Sequence, residues 1–191
     1  MSAALTVGVL AVQGAFAEHR EALLRAGANP REIRGPRGLD GIDALILPGG
    51  ESTAQGRLMR ELGLFEPISE MIADGLPVFG TCAGMILLAK NIENDARRHF
   101  AAMDITVRRN GYGRQLASFA ARGRFAQYNG VEMVFIRAPY ITAAGPDVEI
   151  LAEIDGRAVA AREGRMLAAA FHPEMTPDLR VLEYFLDMAR A

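Results

Sequence analysis

The sequence predicts an α/β fold in a single domain, a mainly parallel central sheet flanked by helices with antiparallel additions late in the chain. Three observations predict it. The early apolar runs are short and near-continuous rather than alternating, as in strands buried on both faces. They alternate with segments of helical period, the arrangement of a layered parallel sheet. Pro and Gly fall as punctuation between the segments, with no linker, repeat or low-complexity tract.

Taken in order, residues 5–12 (LTVGVLAV) form a doubly buried strand, and 18–26 a helix with Ala22, Leu23 and Ala26 at helical spacing, stopped by Gly27. A second buried strand, 44–47 (ALIL), ends at Pro48-Gly49-Gly50. A helix over 53–62 puts Leu58, Met59 and Leu62 on one side, and another follows near 67–73. The short strand 77–79 runs into Gly80-Thr81-Cys82-Ala83-Gly84, with helix resuming over 85–89. Strand-like runs follow at 105–107, 131–136, 148–154 and 166–171, a hairpin turn falls around Asp155-Gly156, and a final helix covers 177–189.

The 191 residues suit one domain, 1–191. A chain of this length buries roughly 70% of its extended-state surface, so it needs neither disulfides nor metal to fold. With 21 Lys+Arg against 23 Asp+Glu the formal charge is −2, which disfavours nucleic acid and anionic membrane as partners. The apolar start, residues 3–12, lacks the basic region of a secretory signal, and no run approaches the ~20 apolar residues of a membrane span. The expectation is a soluble, cytoplasmic protein. A single cysteine, Cys82, excludes an intramolecular disulfide framework and any multi-cysteine metal site, and it fits a reducing compartment.

Three stretches carry chemistry. In Gly80-Thr81-Cys82-Ala83-Gly84, a nucleophile flanked by small residues between an apolar strand and a helix is the cysteine version of a nucleophile elbow. The helix that follows aims its first N–H groups at the sulfur and favours thiolate. The competing reading is a buried structural cysteine in a glycine turn, the commoner fate of a lone cysteine. In Phe171-His172-Pro173-Glu174, an extended segment held by Pro173 would project His172 and Glu174 to the same side, so that the carboxylate orients the imidazole toward a thiol. A solvated His-Pro-Glu turn is the bland alternative. His19 is expected at the surface of the first helix, and His99 sits among arginines; neither follows a buried strand. The third stretch, Leu47-Pro48-Gly49-Gly50-Glu51-Ser52-Thr53, follows a strand end, where ligands sit in open α/β sheets. Its glycines suit an oxyanion hole. A phosphate loop is the rival, but neither a Walker ending nor a G-x-G-x-x-G fingerprint is present. Ser52 or Thr53 capping the next helix, with Glu51 near its dipole, would be compatible with ligand contact.

LPGGEST, FGTCAG and FHPE, in this order, resemble the class I (triad-type) glutamine amidotransferases, whose fold is flavodoxin-like. GVLAVQGA (8–15), VRRNGYGRQ (107–115) and FIRAP (135–139) narrow the resemblance to glutaminase subunits of pyridoxal 5′-phosphate synthase. It spans essentially the whole chain. The resemblance implies Cys82 as nucleophile, His172 as general base and acid, and Glu174 as the residue orienting the histidine. It implies glutamine contacts at Gly50, Glu51, Ser52, Arg109, Ile136 and Arg137, with the Gly50 and Ala83 N–H groups as oxyanion donors. Arginine suits a substrate carboxylate because guanidinium pairs with it bidentately; for Arg109 a solvated basic strand end is the alternative.

The implied activity is hydrolysis of L-glutamine to L-glutamate and ammonia through a thioester, the ammonia passing to a separate synthase subunit, with Gln13-Gly14 near that interface. No metal and no organic cofactor is called for. Two alternatives stay open: a glutaminase serving another amidotransferase, and a non-enzymatic α/β module using Cys82 as a redox sensor. The ordered Cys82/His172/Glu174 set speaks against the sensor, which needs no oriented base.

Overall fold

The computed structural model describes residues 4–113 and 117–191. Arg114 and Gln115 of the 107–115 motif, and Ala3 at the apolar start, lie outside the described residues.

The first half of the chain alternates strands and helices. β1 (Thr6–Leu10) is followed by α1 (Phe16–Arg25), β2 (Asn29–Ile33) and, after a 3-10 turn at Pro36–Leu39, β3 (Ala44–Leu47). Then come α2 (Ser52–Glu61), α3 (Phe65–Ala73), β4 (Val78–Thr81) and the two-turn α4 (Ala83–Leu88). All four residues of β3 and of β4 are buried, which is why their sequences show no alternation. Elements of the second half are mainly strands: β5 (Ala89–Ile92), β6 (Met103–Arg108), β7 (Ser118–Phe125), β8 (Tyr128–Ile136), β9 (Tyr140–Ala144), β10 (Glu149–Ile154), β11 (Arg157–Glu163) and β12 (Met166–Ala169). The chain ends in α5 (Arg180–Arg190).

The strands form a curled mixed sheet in the order β2-β1-β3-β4-β12-β11-β9-β6-β5, with β10 on β11. Its first five strands are parallel, and β12–β11, β11–β9 and β9–β6 are antiparallel. β7 and β8 pair separately as an antiparallel ribbon. The expected α/β class with antiparallel additions is therefore what the chain adopts. The β2-β1-β3-β4 sequence reverses direction at β1, and in such sheets ligands bind at the carboxyl ends of the strands beside that reversal. β12 closes the parallel set, so the last strand of the chain lies next to the strand that carries Cys82.

The Asp155-Gly156 hairpin is present. Both residues have positive φ, 50° and 73°, as a two-residue type I′ turn requires, and Ile154 faces Arg157 across it. α5 packs its apolar stripe on the sheet, with Phe185 5.4 Å from the Phe79 ring.

Candidate active site

Four strand ends converge on one cleft of about 290 Å³: Gln13 and Gly14 beyond β1, Gly49 to Ser52 beyond β3, Cys82 beyond β4 and His172 beyond β12. Every residue expected in the site lines this cleft except Glu174, which stands behind His172.

The elbow has the expected strain. Cys82 holds φ 50° and ψ −102°, a region that costs a residue with a side chain about 1–3 kcal/mol. The turn is tight enough that only glycine fits beside it: a Cβ on Gly80 would meet the Gly84 carbonyl at 2.4 Å, and one on Gly84 the Leu47 carbonyl at 2.0 Å. Cys82 N–H donates to the Ala169 carbonyl of the neighbouring β12 at 2.7 Å, fixing the cysteine to the strand that leads to His172. The thiol points toward the Ile136 carbonyl, 3.8 Å away. The first bonds of α4 run from Met85 and Ile86 N–H to the Cys82 carbonyl. The N–H groups of Ala83 and Gly84 precede them and need a partner from outside the helix.

His172 is anchored by its backbone N–H on Val134 O (2.8 Å), and its Nδ1 lies 2.6 Å from Glu174 Oε1. Residues Pro173–Met175 form a 3-10 turn, not the extended segment expected from Pro173. Proline's fixed φ and missing N–H suit the first position of such a turn as well as an extended chain. The histidine and glutamate still meet, through the turn. Burial opposes a charged imidazole, but Glu174 at hydrogen-bond distance and the neighbouring Cys82 sulfur outweigh it, and His172 is raised to about 10. Burial likewise pushes Glu174 up, but the neighbouring His19 and the hydrogen bond with His172 hold it below its ordinary range. Nε2 of His172 is buried and has no formed hydrogen bond among the described residues, so it is open to the thiol or to a substrate.

The glycine loop is clamped from two sides. Ala15 N–H donates to the Gly49 carbonyl at 3.0 Å; across a trans peptide, the Gly50 N–H faces the other way. Gln13 Oε1 accepts from Glu51 N–H (2.9 Å), and buried Gln55 donates from Nε2 to the carbonyls of Gln13 and Pro48 (3.0 Å each). Capping by Ser52 or Thr53 is not realised. Among the described residues, Glu51 takes the cap position of α2 without a side-chain hydrogen bond and buried Ser52 Oγ has no partner, while the Thr53 hydroxyl accepts from Arg97.

On the opposite wall, Arg109 Nη1 is 3.5 Å from Asp95 Oδ2, which also pairs with Arg97 at 2.7 Å. Arg137, at φ 44°, extends toward Glu51, with Nη2 3.9 Å from Oε1. Two guanidinium groups thus border a cleft that Cys82 also lines, which suits a small ligand bearing a carboxylate. Among the described residues no group of three or more His, Cys, Asp or Glu is placed to hold a metal ion, and no described helix is long and apolar enough to cross a membrane.

His19 corrects the sequence reading. It is 1% exposed, not a surface residue, and its Nε2 lies 3.0 Å from Thr81 Oγ1 and 3.4 Å from Glu174 Oε2. The helical spacing held the signal, because His19 falls on the same face as Ala22, Leu23 and Ala26. Gln55 was missed for the same reason: on α2 it shares the buried face with Ser52 and Met59.

The model of the SNO glutamine amidotransferase family matches residues 9–191. A relative from Desulforudis audaxviator, the pyridoxal 5′-phosphate synthase subunit PdxT, is 54% identical over 96% of this chain and 98% of its own. The protein of the same name from Bifidobacterium longum is 51% identical over 95% of this chain and 99% of its own. A crystal structure of a glutamine amidotransferase, 43% identical, superposes with a TM-score of 0.92 over 97% of this chain and 99% of its own.

Proposed function

Because the chain belongs to the SNO glutamine amidotransferase family, we propose that its cleft hydrolyses L-glutamine through Cys82, His172 and Glu174. The protein is a glutaminase, the subunit that supplies ammonia to a pyridoxal 5′-phosphate synthase. The observation that carries the site assignment is the juxtaposition at two adjacent strand ends: a strained Cys82 and a His172 held by Glu174 at 2.6 Å.

With its proton already on His172 Nε2, the Cys82 sulfur attacks the side-chain amide carbon of glutamine. The carbon–oxygen π pair moves to oxygen, and that oxyanion is received by the N–H groups of Gly50 and Ala83. Collapse breaks the carbon–nitrogen bond as His172 returns the proton to the departing nitrogen, releasing ammonia and leaving a γ-glutamyl thioester. His172 then takes a proton from water as it attacks the thioester, and a second collapse frees glutamate and the sulfur. Through both steps Glu174 fixes the ring by Nδ1 and offsets the charge on the imidazolium. Arg109 and Arg137 receive the substrate carboxylate, while Gly50, Glu51, Ser52 and Ile136 line the rest of the glutamine site. Residues 1–191 then act as one glutamine amidotransferase domain in the cytoplasm, where the lone thiol stays reduced.

Ammonia and glutamate release, measured with and without the pyridoxal 5′-phosphate synthase subunit, tests the reading. Activity stimulated by that subunit and absent from a Cys82→Ala variant that still binds it supports it. Neither complex formation nor activity with the wild-type chain would overturn it.

A further inference from the structure

Glu174 has two carboxylate oxygens, and the triad uses one. Oε1 faces His172 Nδ1, while Oε2 is buried without a formed hydrogen bond among the described residues. An ionised carboxylate oxygen in that position is costly unless a donor or positive dipole faces it. A side chain that faces it is His19, whose Nε2 lies 3.4 Å away, and the same nitrogen is 3.0 Å from the hydroxyl of Thr81, the residue before Cys82. With the proton on Nδ1, the Nε2 lone pair would confront the carboxylate; with the proton on Nε2, one N–H is shared between Glu174 Oε2 and Thr81 Oγ1.

From this geometry we infer that His19 is a positioning residue of the reaction: its Nε2–H fixes Glu174 from behind and ties the acid of the triad to the strand that carries Cys82. It touches neither substrate nor sulfur and acts through Glu174. Burial lowers its own protonation, against the charge of Glu174 and Glu18 and with that of His172. It is therefore neutral in neutral solution, and a neutral ring orients the carboxylate without drawing its charge away from His172. The inference rests on the glutaminase reading above.

Glutamine hydrolysis by the assembled complex tests it with four variants: His19→Leu, His19→Gln, Glu174→Gln and the His19→Leu/Glu174→Gln double. Leu keeps apolar bulk and removes the donor, and kcat is expected to fall about 10- to 100-fold with KM within about twofold. Gln restores an N–H at the position of Nε2 and is expected within about threefold of wild type. Because His19 acts through Glu174, the double variant is expected to be no slower than Glu174→Gln alone. If circular dichroism shows that His19→Leu does not fold, His19→Asn, whose amide stops short of Glu174, replaces it with the same expected loss. A donor-lacking variant as fast as wild type, or losses that multiply in the double variant, would overturn the inference. A Cys82→Ala arm keeps the two readings apart: normal turnover there removes the glutaminase reading, whereas an inactive Cys82→Ala beside unaffected His19 variants removes only the role of His19.

Discussion

Gly49 lies against the face of His172 so closely that a Cβ at position 49 would stand 2.3 Å from the imidazole Cε1. The absent side chain is part of how the His172 ring is held. The contact is with the far end of a side chain, so the fold can yield to it while the ring cannot keep its place. Gly49→Ala is expected to lower kcat by about 100-fold, the cost of displacing a reacting group by about 1 Å. Its melting temperature should stay within a few degrees of wild type, a combination that steady-state kinetics and thermal melting check together.

Gly84 meets backbone instead. A methyl there would press on the Leu47 carbonyl at 2.0 Å, and neither α4 nor β3 can move without disturbing the sheet. Gly84→Ala is expected to destabilise the fold by about 3 kcal/mol. For a chain of this size that is a fall in Tm of roughly 6–12 °C, read by calorimetry, with loss of activity below the melting point as well.

The histidines should titrate on opposite sides of neutrality. His172 is raised from its ordinary 6.5 to about 10, because Cys82 and Glu174 outweigh the burial that opposes its charge, and His19 is lowered by burial. A raised histidine stabilises the fold fully below 6.5 and loses that contribution as pH climbs through about 10. Glu174, lowered from 4.5, contributes fully above that value and loses it as pH falls through its depressed one. Imidazole NMR should show His172 protonated at pH 7.5, titrating only in alkali, and His19 neutral. In Glu174→Gln the His172 titration should move down toward 6.5.

Much of this site was legible in the sequence, and what was not has physical causes. The strands buried on both faces, 44–47 among them, stood out because nothing polar interrupts them. β2 did not: Asn29–Ile33 is an edge strand, and of its residues only Ile33 is buried, so proline and charge are tolerated there. β7 alternates between exposed and covered residues up to buried Phe125, but its inner positions include Ala121 and Gly123, too small to mark a hydrophobic period. Cys82, His172 and the glycine loop were readable from local patterns. Glu174's second partner was not, because His19 reaches it across 155 residues of chain, and that proximity is created by β12 inserting beside β4.

Asp178 offers a check on the fold apart from the chemistry. It accepts from the N–H groups of Arg180 and Glu132 and pairs with the Arg180 guanidinium, which also donates to the carbonyls of Asn129 and Gly130. The knot ties the start of α5 to β8, and its hydrogen bonds from Arg180 hold the Asp178 carboxyl down to about 2. Asp178→Ala is expected to cost about 1–2 kcal/mol by urea denaturation at pH 7, with glutamine turnover retained. A depressed carboxylate contributes above its ordinary 3.8 and loses that contribution as pH falls through about 2, so wild type and variant should converge in stability in strong acid.

In the proposed mechanism Cys82 carries the γ-glutamyl group. Mass spectrometry of the complex, acid-quenched during turnover with glutamine and then digested, tests it most directly. A glutamyl adduct is expected on the peptide containing Cys82, removed by hydroxylamine and absent from Cys82→Ala, which releases no ammonia. Wild-type ammonia release from Cys82→Ala, or the adduct on any other residue, would contradict it.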